Sequence, residues 1–359
     1  MGKFPLRRRR MGELSGKPIS HRIFIERLVI AIAVIAVALL LWNLRGLLML
    51  VFGAVLVSVI LGIVAEPIRE RLKVPDWAAL LAAVLIVAGI IVAAFWTFGA
   101  QVTRQAEGLR EMIPAAWTAL EARLDAWGLG EALREWTASI GGGGGVVANL
   151  GNIAVTVGNG IADTLLVLVG GIYLAAQPEL YRVGMLKLVP ERGRELAEQA
   201  LEASGRALRL WLLGRLVSMT VVGLLTWLGL TAIGVPSAAA LGLLAALLEF
   251  VPFIGPILAA VPAVLLAFAG SPEKAIWTAL LFLAIQQFEG NVLEPLVQQR
   301  AVDLPPALLL FALVAGGLVF GVTGVILAAP FTVVVYVMVK RLYVQEALHT
   351  PTPLPGEDG

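Results

Sequence analysis

Long apolar runs separated by short charged segments dominate the chain. Leu28 to Trp42 is the first run, Gly46 to Ala65 the second and Trp77 to Ala100 the third. The third holds 24 residues, about 36 Å as helix and enough to cross a bilayer with tilt. Only Asn43, Leu44 and Arg45 separate the first two, which predicts a tight hairpin of spans. Ile153 to Ala176 is a fourth run, interrupted by Asp163, and Leu208 to Ile233 is a fifth. Asp163 shares its helix with Gly158, Gly160, Gly170 and Gly171, a setting that suits a hydrogen bond to a neighbouring helix. Between these runs Pro178 to Arg206 is charged and helical in pattern, and Pro190-Glu191 marks a helix start. Arg209 and Arg215 lie near one end of the fifth run, where arginines snorkel to the interface.

Residues 101–150 break the pattern. Leu109, Ile113, Trp117, Leu120, Leu124 and Trp127 recur at steps of 3 and 4, the period of an amphipathic helix. Pro114 opens a new helix within the segment, and Gly141 to Gly145 is a flexible linker. Trp117, Trp127 and Trp136 suit an interfacial cap, or a surface for a partner or for gating.

The last third is broken where the first runs are smooth. Ala238 to Ala269 is too long for one straight span and is interrupted by Pro252, Gly255 and Pro256 in EFVPFIGP. Ala275 to Phe288 is short, and a polar run follows from its end: Gln286, Gln287, Glu289, Asn291, Glu294, Gln298, Gln299, Arg300 and Asp303. Leu304 to Val339 is long again, with Gly316, Gly317, Gly321 and Gly324 at its middle and Pro330 after them as candidate hinges. Both long stretches read as helical hairpins, either re-entrant or fully crossing. Backbone in lipid must be bonded internally, so such breaks survive only when buried or lining a cavity.

Composition removes the soluble alternatives. Charged residues are 14% of the 359, against about 25% in soluble domains, and the mean hydropathy is +0.90. The chain is therefore an all-α polytopic membrane protein. Charge then orients it. Residues 1–27 hold eight Lys/Arg and two Glu, net +6, whereas 101–150 hold four Arg and six carboxylates, net −2. The positive-inside rule puts the basic N-terminus in the cytoplasm and 101–150 outside. Hairpins return the chain to the side it left, so Lys340-Arg341 and the C-terminus are cytoplasmic as well. The tail 346–359 is Pro-rich and reads as disordered.

Chemistry is sparse. There is no Cys, and the two His, His21 and His349, lie in polar tails. No zinc-protease or nucleophile-elbow motif occurs, and GELSGK at Gly12 to Lys17 is too short for a phosphate-binding loop. The chain is not read as an enzyme and calls for no cofactor, no metal and no nucleic acid. Glu249 stands out instead: every position from Leu216 to Leu248 is uncharged, and the next charge downstream is Glu273. A carboxylate among apolar residues is costly unless it is paired, protonated or exchanging with an ion. Arg209, Arg215 or the amides of Gln286 and Gln287 are its candidate partners; a helix cap at the break is the plainer role. With Pro252, Gly255 and Pro256 at the break, and Gln286, Gln287, Glu289, Asn291 and Glu294 beyond it, these residues could bind a polar solute or a monovalent cation.

Three stretches carry a family pattern: EFVPFIGPILAAVPAVLLAF, NVLEPLVQQRAVDLPP and LVAGGLVFGVTGVILAAPF. In the order and spacing of their Pro and Gly they resemble the autoinducer-2 exporter (AI-2E) family of permeases. Gln299 and Arg215 depart from that pattern, which often has Gly and Gln there. The resemblance implies an inner-membrane transporter of about eight helices, assembled as a homo-oligomer, a pentamer. It implies export of a small polar molecule such as autoinducer-2, or sodium- or lithium-for-proton exchange. Spans 28–100 would then precede the outer segment 101–150, and 151–345 would form the transport core with a cytoplasmic helix at 178–206. A membrane scaffold that docks partners through 101–140 and 178–206 is the non-transporting alternative.

Overall fold

The computed structural model describes residues 21–90, 92, 96, 161–298 and 304–349. The amphipathic segment 101–150 with its Gly linker, the start of the fourth run (151–160), most of 91–100, residues 1–20, Gln299 to Asp303 and the tail from Thr350 lie outside the described residues. The described residues are overwhelmingly helical, with no strand among them.

Two compact units divide after Leu47. In the first, α1 (His21–Asn43) is followed after a single turn residue, Leu44, by the start of α2 (Arg45–Leu72). The Arg45 guanidinium stacks 4.5 Å over the Trp42 ring. The second unit holds the rest of α2, then α3 (Asp76–Ile90), α4 (Ile161–Ala176), α5 (Pro178–Lys187) and α6 (Glu191–Ile233). It continues through α7 (Ala238–Leu248), α8 (Ile254–Gly270), α9 (Pro272–Phe288), a π-helical turn Glu289–Leu293, α10 (Glu294–Gln298) and α11 (Pro306–Val339). Among the described residues four helical stretches are, by length and composition, long and apolar enough to cross a membrane: Arg45–Leu72, Glu191–Ile233, Pro272–Leu296 and Pro306–Ala347, the last counted across the break at Gly321. The α4–α5 pair, bent by 89°, would make a fifth, and α3, α7 and α8 are shorter apolar helices.

Local sequence sets the boundaries. Pro178, Pro272 and Pro306 each open a helix, where the missing N–H costs nothing. Ser271 caps α9 by accepting from the Lys274 amide at 3.2 Å. Gly234 ends α6 in the left-handed conformation, φ 74°. Pro190-Glu191 does start a helix, but that helix does not stop at Arg206. It runs unbroken for 43 residues, about 64 Å, to Ile233. The switch from charged to apolar residues near Leu208 changes what the helix faces, not its backbone. Ala200, Ala203, Ala207, Leu208 and Leu212 keep one buried stripe across the switch. The polar run after Phe288 is likewise helix rather than loop as far as Gln298.

Small residues let helices approach. A Cβ on Gly171 of α4 would lie 2.5 Å from Val57 of α2, and one on Gly242 of α7 would lie 2.6 Å from Trp227 Cβ of α6. Both long C-terminal stretches double back. Between α7 and α8, Glu249 to Phe253 forms a turn with Phe253 at φ 64°. Pro252 lies inside that turn, whereas Gly255 and Pro256 belong to the first turn of α8, where proline is tolerated. Gly255 packs so closely on the end of α7 that a Cβ would meet the Leu248 carbonyl at 1.9 Å. In α11, Gly321 is non-helical, φ 66° and ψ −146°. Gly316 and Gly324, on either side of it, touch: a Cβ on Gly324 would lie 2.0 Å from the Gly316 carbonyl oxygen. In a straight helix those residues would be about 12 Å apart, so the chain reverses at Gly321.

Candidate functional site

The turn between α7 and α8 places Glu249 inside the protein. Its carboxylate is fully buried, capping the end of α7 by position rather than by a side-chain bond. Facing it from α6 is Arg215, itself buried, with Nη2 2.7 Å from Glu249 Oε1. The N–H vectors do not run along this contact. It is a charge pair held by packing. Arg215 Nη1 also reaches Glu289 Oε1 at 3.5 Å, and Glu289 is 4% exposed. Gln286 Nε2 donates to the second Glu289 oxygen at 3.3 Å. One guanidinium thus stands between two carboxylates, and its planar fork lets it reach both. With all three ionised the cluster carries a net charge of −1.

Three elements build this arrangement. The stripe Leu212, Arg215, Ser218 and Val222 faces inward from α6. The α7–α8 turn supplies Glu249. The π-helical turn supplies Glu289, and the extra residue of that turn re-aims the helix face just past Phe288. On the same elements, Val222 of α6, Ile285 of α9 and Leu293 of the π-helical turn form one buried apolar cluster.

Of the sequence candidates, then, Glu249, Glu289 and Gln286 come together, with Arg215 as the shared partner. Gln287 and Asn291 form a separate exposed pair: Asn291 Nδ2 donates to the Gln287 carbonyl and to its Oε1, both at 2.9 Å. Glu294 is exposed on α10, within electrostatic reach of Arg215, Glu289 and Glu249. Pro252, Gly255 and Pro256 shape the turn that carries Glu249 and bring no polar group to the cluster. Among the hinge candidates the positive φ is at Gly321 alone; Gly316 and Gly324 are contact points, a Cβ on Gly317 would lie 3.0 Å from Val325, and Pro330 is buried within the second limb of α11. Asp163 sits exposed in the first turn of α4, where a carboxylate complements the helix dipole.

Arg209, the other candidate partner, is committed elsewhere: it pairs with Glu66 of α2. That pair lies in an open cleft of about 1030 Å³ between α2, α3, α4 and α6, distinct from the Arg215 cluster. Sequence patterning alone could not separate the two arginines, which both sit where α6 turns apolar. Their difference is which face of α6 they occupy.

The chain matches the AI-2E family transporter profile over residues 28–343. It is 31% identical over 158 residues to YueF of Bacillus subtilis, covering 44% of this chain and 42% of that protein. It is 30% identical over 166 residues to YrrI of the same organism, covering 46% and 47%. Both names make their proteins candidate transport proteins, and each match spans less than half of the relative's length. A longer match, 25% identical over 294 residues, covers 80% of this chain and 84% of the AI-2 transport protein TqsA of Escherichia coli. With the profile spanning most of its length and its long apolar helices making it a multi-pass membrane protein, the chain belongs to the AI-2E transporter family.

Proposed function

We propose that the protein is a secondary transporter that exports a small polar molecule, autoinducer-2 or a close chemical relative, through a site formed by its broken helices. The observation that carries this reading is the buried Arg215–Glu249–Glu289 cluster at the α7–α8 break. A charged group buried in an apolar helical bundle is expensive to keep, and in membrane transporters such groups mark solute and ion paths. The cluster lies at a helix break, and broken helices are the usual companions of such a path. The name of TqsA supports autoinducer-2 as the solute. The two C-terminal hairpins bring the count to about eight membrane-inserted helices, in the bacterial inner membrane and in a homo-oligomer.

A second reading, monovalent cation-for-proton exchange, draws on the same cluster, whose two carboxylates outnumber its cation. Proteoliposomes separate the readings. Autoinducer-2 and Na⁺ are offered with and without a proton gradient. The exporter reading expects gradient-dependent autoinducer-2 flux that Na⁺ does not replace. Na⁺ flux without autoinducer-2 flux moves the assignment to the second reading, and no flux of either leaves a membrane scaffold.

Orientation follows from the charge partition: both termini are cytoplasmic and 101–150 is outside. The chain has no native Cys to interfere, so Ser139→Cys is expected to react with an impermeant maleimide from the outer face. Reaction from the cytoplasmic face alone would invert the topology.

A further inference from the structure

The open cleft beside Arg209 has a composition that the transport reading does not use. Its walls are apolar: Val59 and Ile63 of α2, Leu80 and Leu81 of α3, and Ile172 of α4. Its rim carries four charges in two pairs. Arg209 is paired with Glu66, and Arg69 Nη1 lies 3.3 Å from Asp76 Oδ1. The rim therefore holds two cations and two anions, net zero.

Three features put this rim at a membrane surface. The apolar run of α2 ends at Ala65, immediately before Glu66, and that of α3 begins at Trp77, immediately after Asp76. Trp77 lines the cleft and is 70% exposed, the placement of an aromatic at headgroup level. The cleft also touches Ala176 and Pro178, where α5 turns away from α4 by 89°. With α4 crossing the membrane, α5 lies along its surface. Its polar side is held to α6 through Arg182, which bridges Glu198 and Glu202, and Leu180 and Met185 remain exposed on it.

We infer that this cleft binds the headgroup of a zwitterionic phospholipid bearing a primary ammonium, with its phosphate on Arg69 and Arg209 and its ammonium on Glu66 and Asp76. The acyl chains would lie along the α2–α3–α4 wall. Charge balance selects this occupant. An anionic headgroup would meet two carboxylates with nothing to offer them. A zwitterion satisfies both signs, and an ammonium with N–H donors serves the carboxylates better than a quaternary one. A soluble zwitterion would leave the apolar wall uncovered. The two rim pairs are open to solvent, so each contributes little by itself and can give up its partner to a ligand at small cost. The site does not depend on the transported solute.

Native mass spectrometry of the full-length protein in detergent tests this, with phosphatidylethanolamine, phosphatidylglycerol and phosphatidylcholine as probes. Phosphatidylethanolamine adducts are expected to dominate. Glu66→Gln is expected to weaken them about fivefold, the worth of one exposed charge contact, without weakening phosphatidylglycerol. Arg209→Gln is expected to weaken both. The reversed pair Glu66→Arg with Arg209→Glu should restore the phosphatidylethanolamine preference, and it serves as the reading if either single variant fails to assemble. Phosphatidylglycerol binding as tightly as phosphatidylethanolamine, a Glu66→Gln variant with unchanged selectivity, or a homo-oligomer that retains no lipid because a second copy fills the cleft would each overturn the proposal.

Discussion

Glu249→Gln is expected to reduce gradient-driven flux to the level of protein-free vesicles while insertion and assembly remain normal. The substitution keeps side-chain volume and hydrogen-bonding capacity and removes the negative charge. Arg215 then still has Glu289 at 3.5 Å, so no buried cation is left bare. On the proposed reading, the substitution removes the group that would hold and release a proton or a cation and so tie flux to a gradient. Arg215→Met is expected to behave differently. It leaves Glu249 and Glu289 buried with no cation between them, a loss of about 3–5 kcal/mol for breaking a buried pair. That variant should fail to assemble. Adding Glu249→Gln and Glu289→Gln to it removes the stranded charges and should recover assembly without recovering coupled flux. Vesicle flux across a range of pH, beside a detergent sizing profile of the same preparation, reads both effects. Coupled flux unchanged by Glu249→Gln across that range would remove the residue from the mechanism.

The parts of this architecture visible in the sequence are those with a local cause. Pro252, with Gly255 and Pro256 close behind it, announces the α7–α8 break, and the uncharged stretch on either side of Glu249 announces a carboxylate that must find a partner. The partner is a different kind of information. Arg215 lies 34 positions before Glu249 and meets it only because α6 and α7 cross through Gly223 and Gly242. Nothing in the local pattern distinguishes it from Arg209, six positions earlier, which the opposite packing sends to Glu66. The π-helical turn at Glu289 was hidden for a related reason. One extra residue in a helix leaves the hydrophobic period almost intact, yet it decides which way Glu289 points. Helix α6 shows the converse: a sharp change in polarity at Leu208 looks like a boundary, while the backbone hydrogen bonds run straight through it.

Gly324→Val is expected to prevent the α11 hairpin from closing, with a loss of stability of about 3 kcal/mol or more. A Cβ at Gly324 would lie 2.0 Å from the Gly316 carbonyl oxygen and 2.7 Å from Phe320 Cβ. The first of these is backbone and cannot swing aside, so the limbs would have to separate along their length. Gly321→Ala tests a different demand at the same hairpin. No atom lies within 4 Å of a Cβ there, but φ 66° with ψ −146° is a region that L-residues avoid. Its cost should be strain alone, about 1–3 kcal/mol. Gly184→Ala on α5 has open space and an ordinary helical backbone, so it should be neutral or slightly stabilising. Thermal unfolding in detergent ranks the three, and the expected order of loss is Gly324→Val, then Gly321→Ala, then Gly184→Ala. If Gly324→Val melts with the wild type, the two limbs do not touch, and Leu304 to Val339 is a single straight crossing rather than a hairpin.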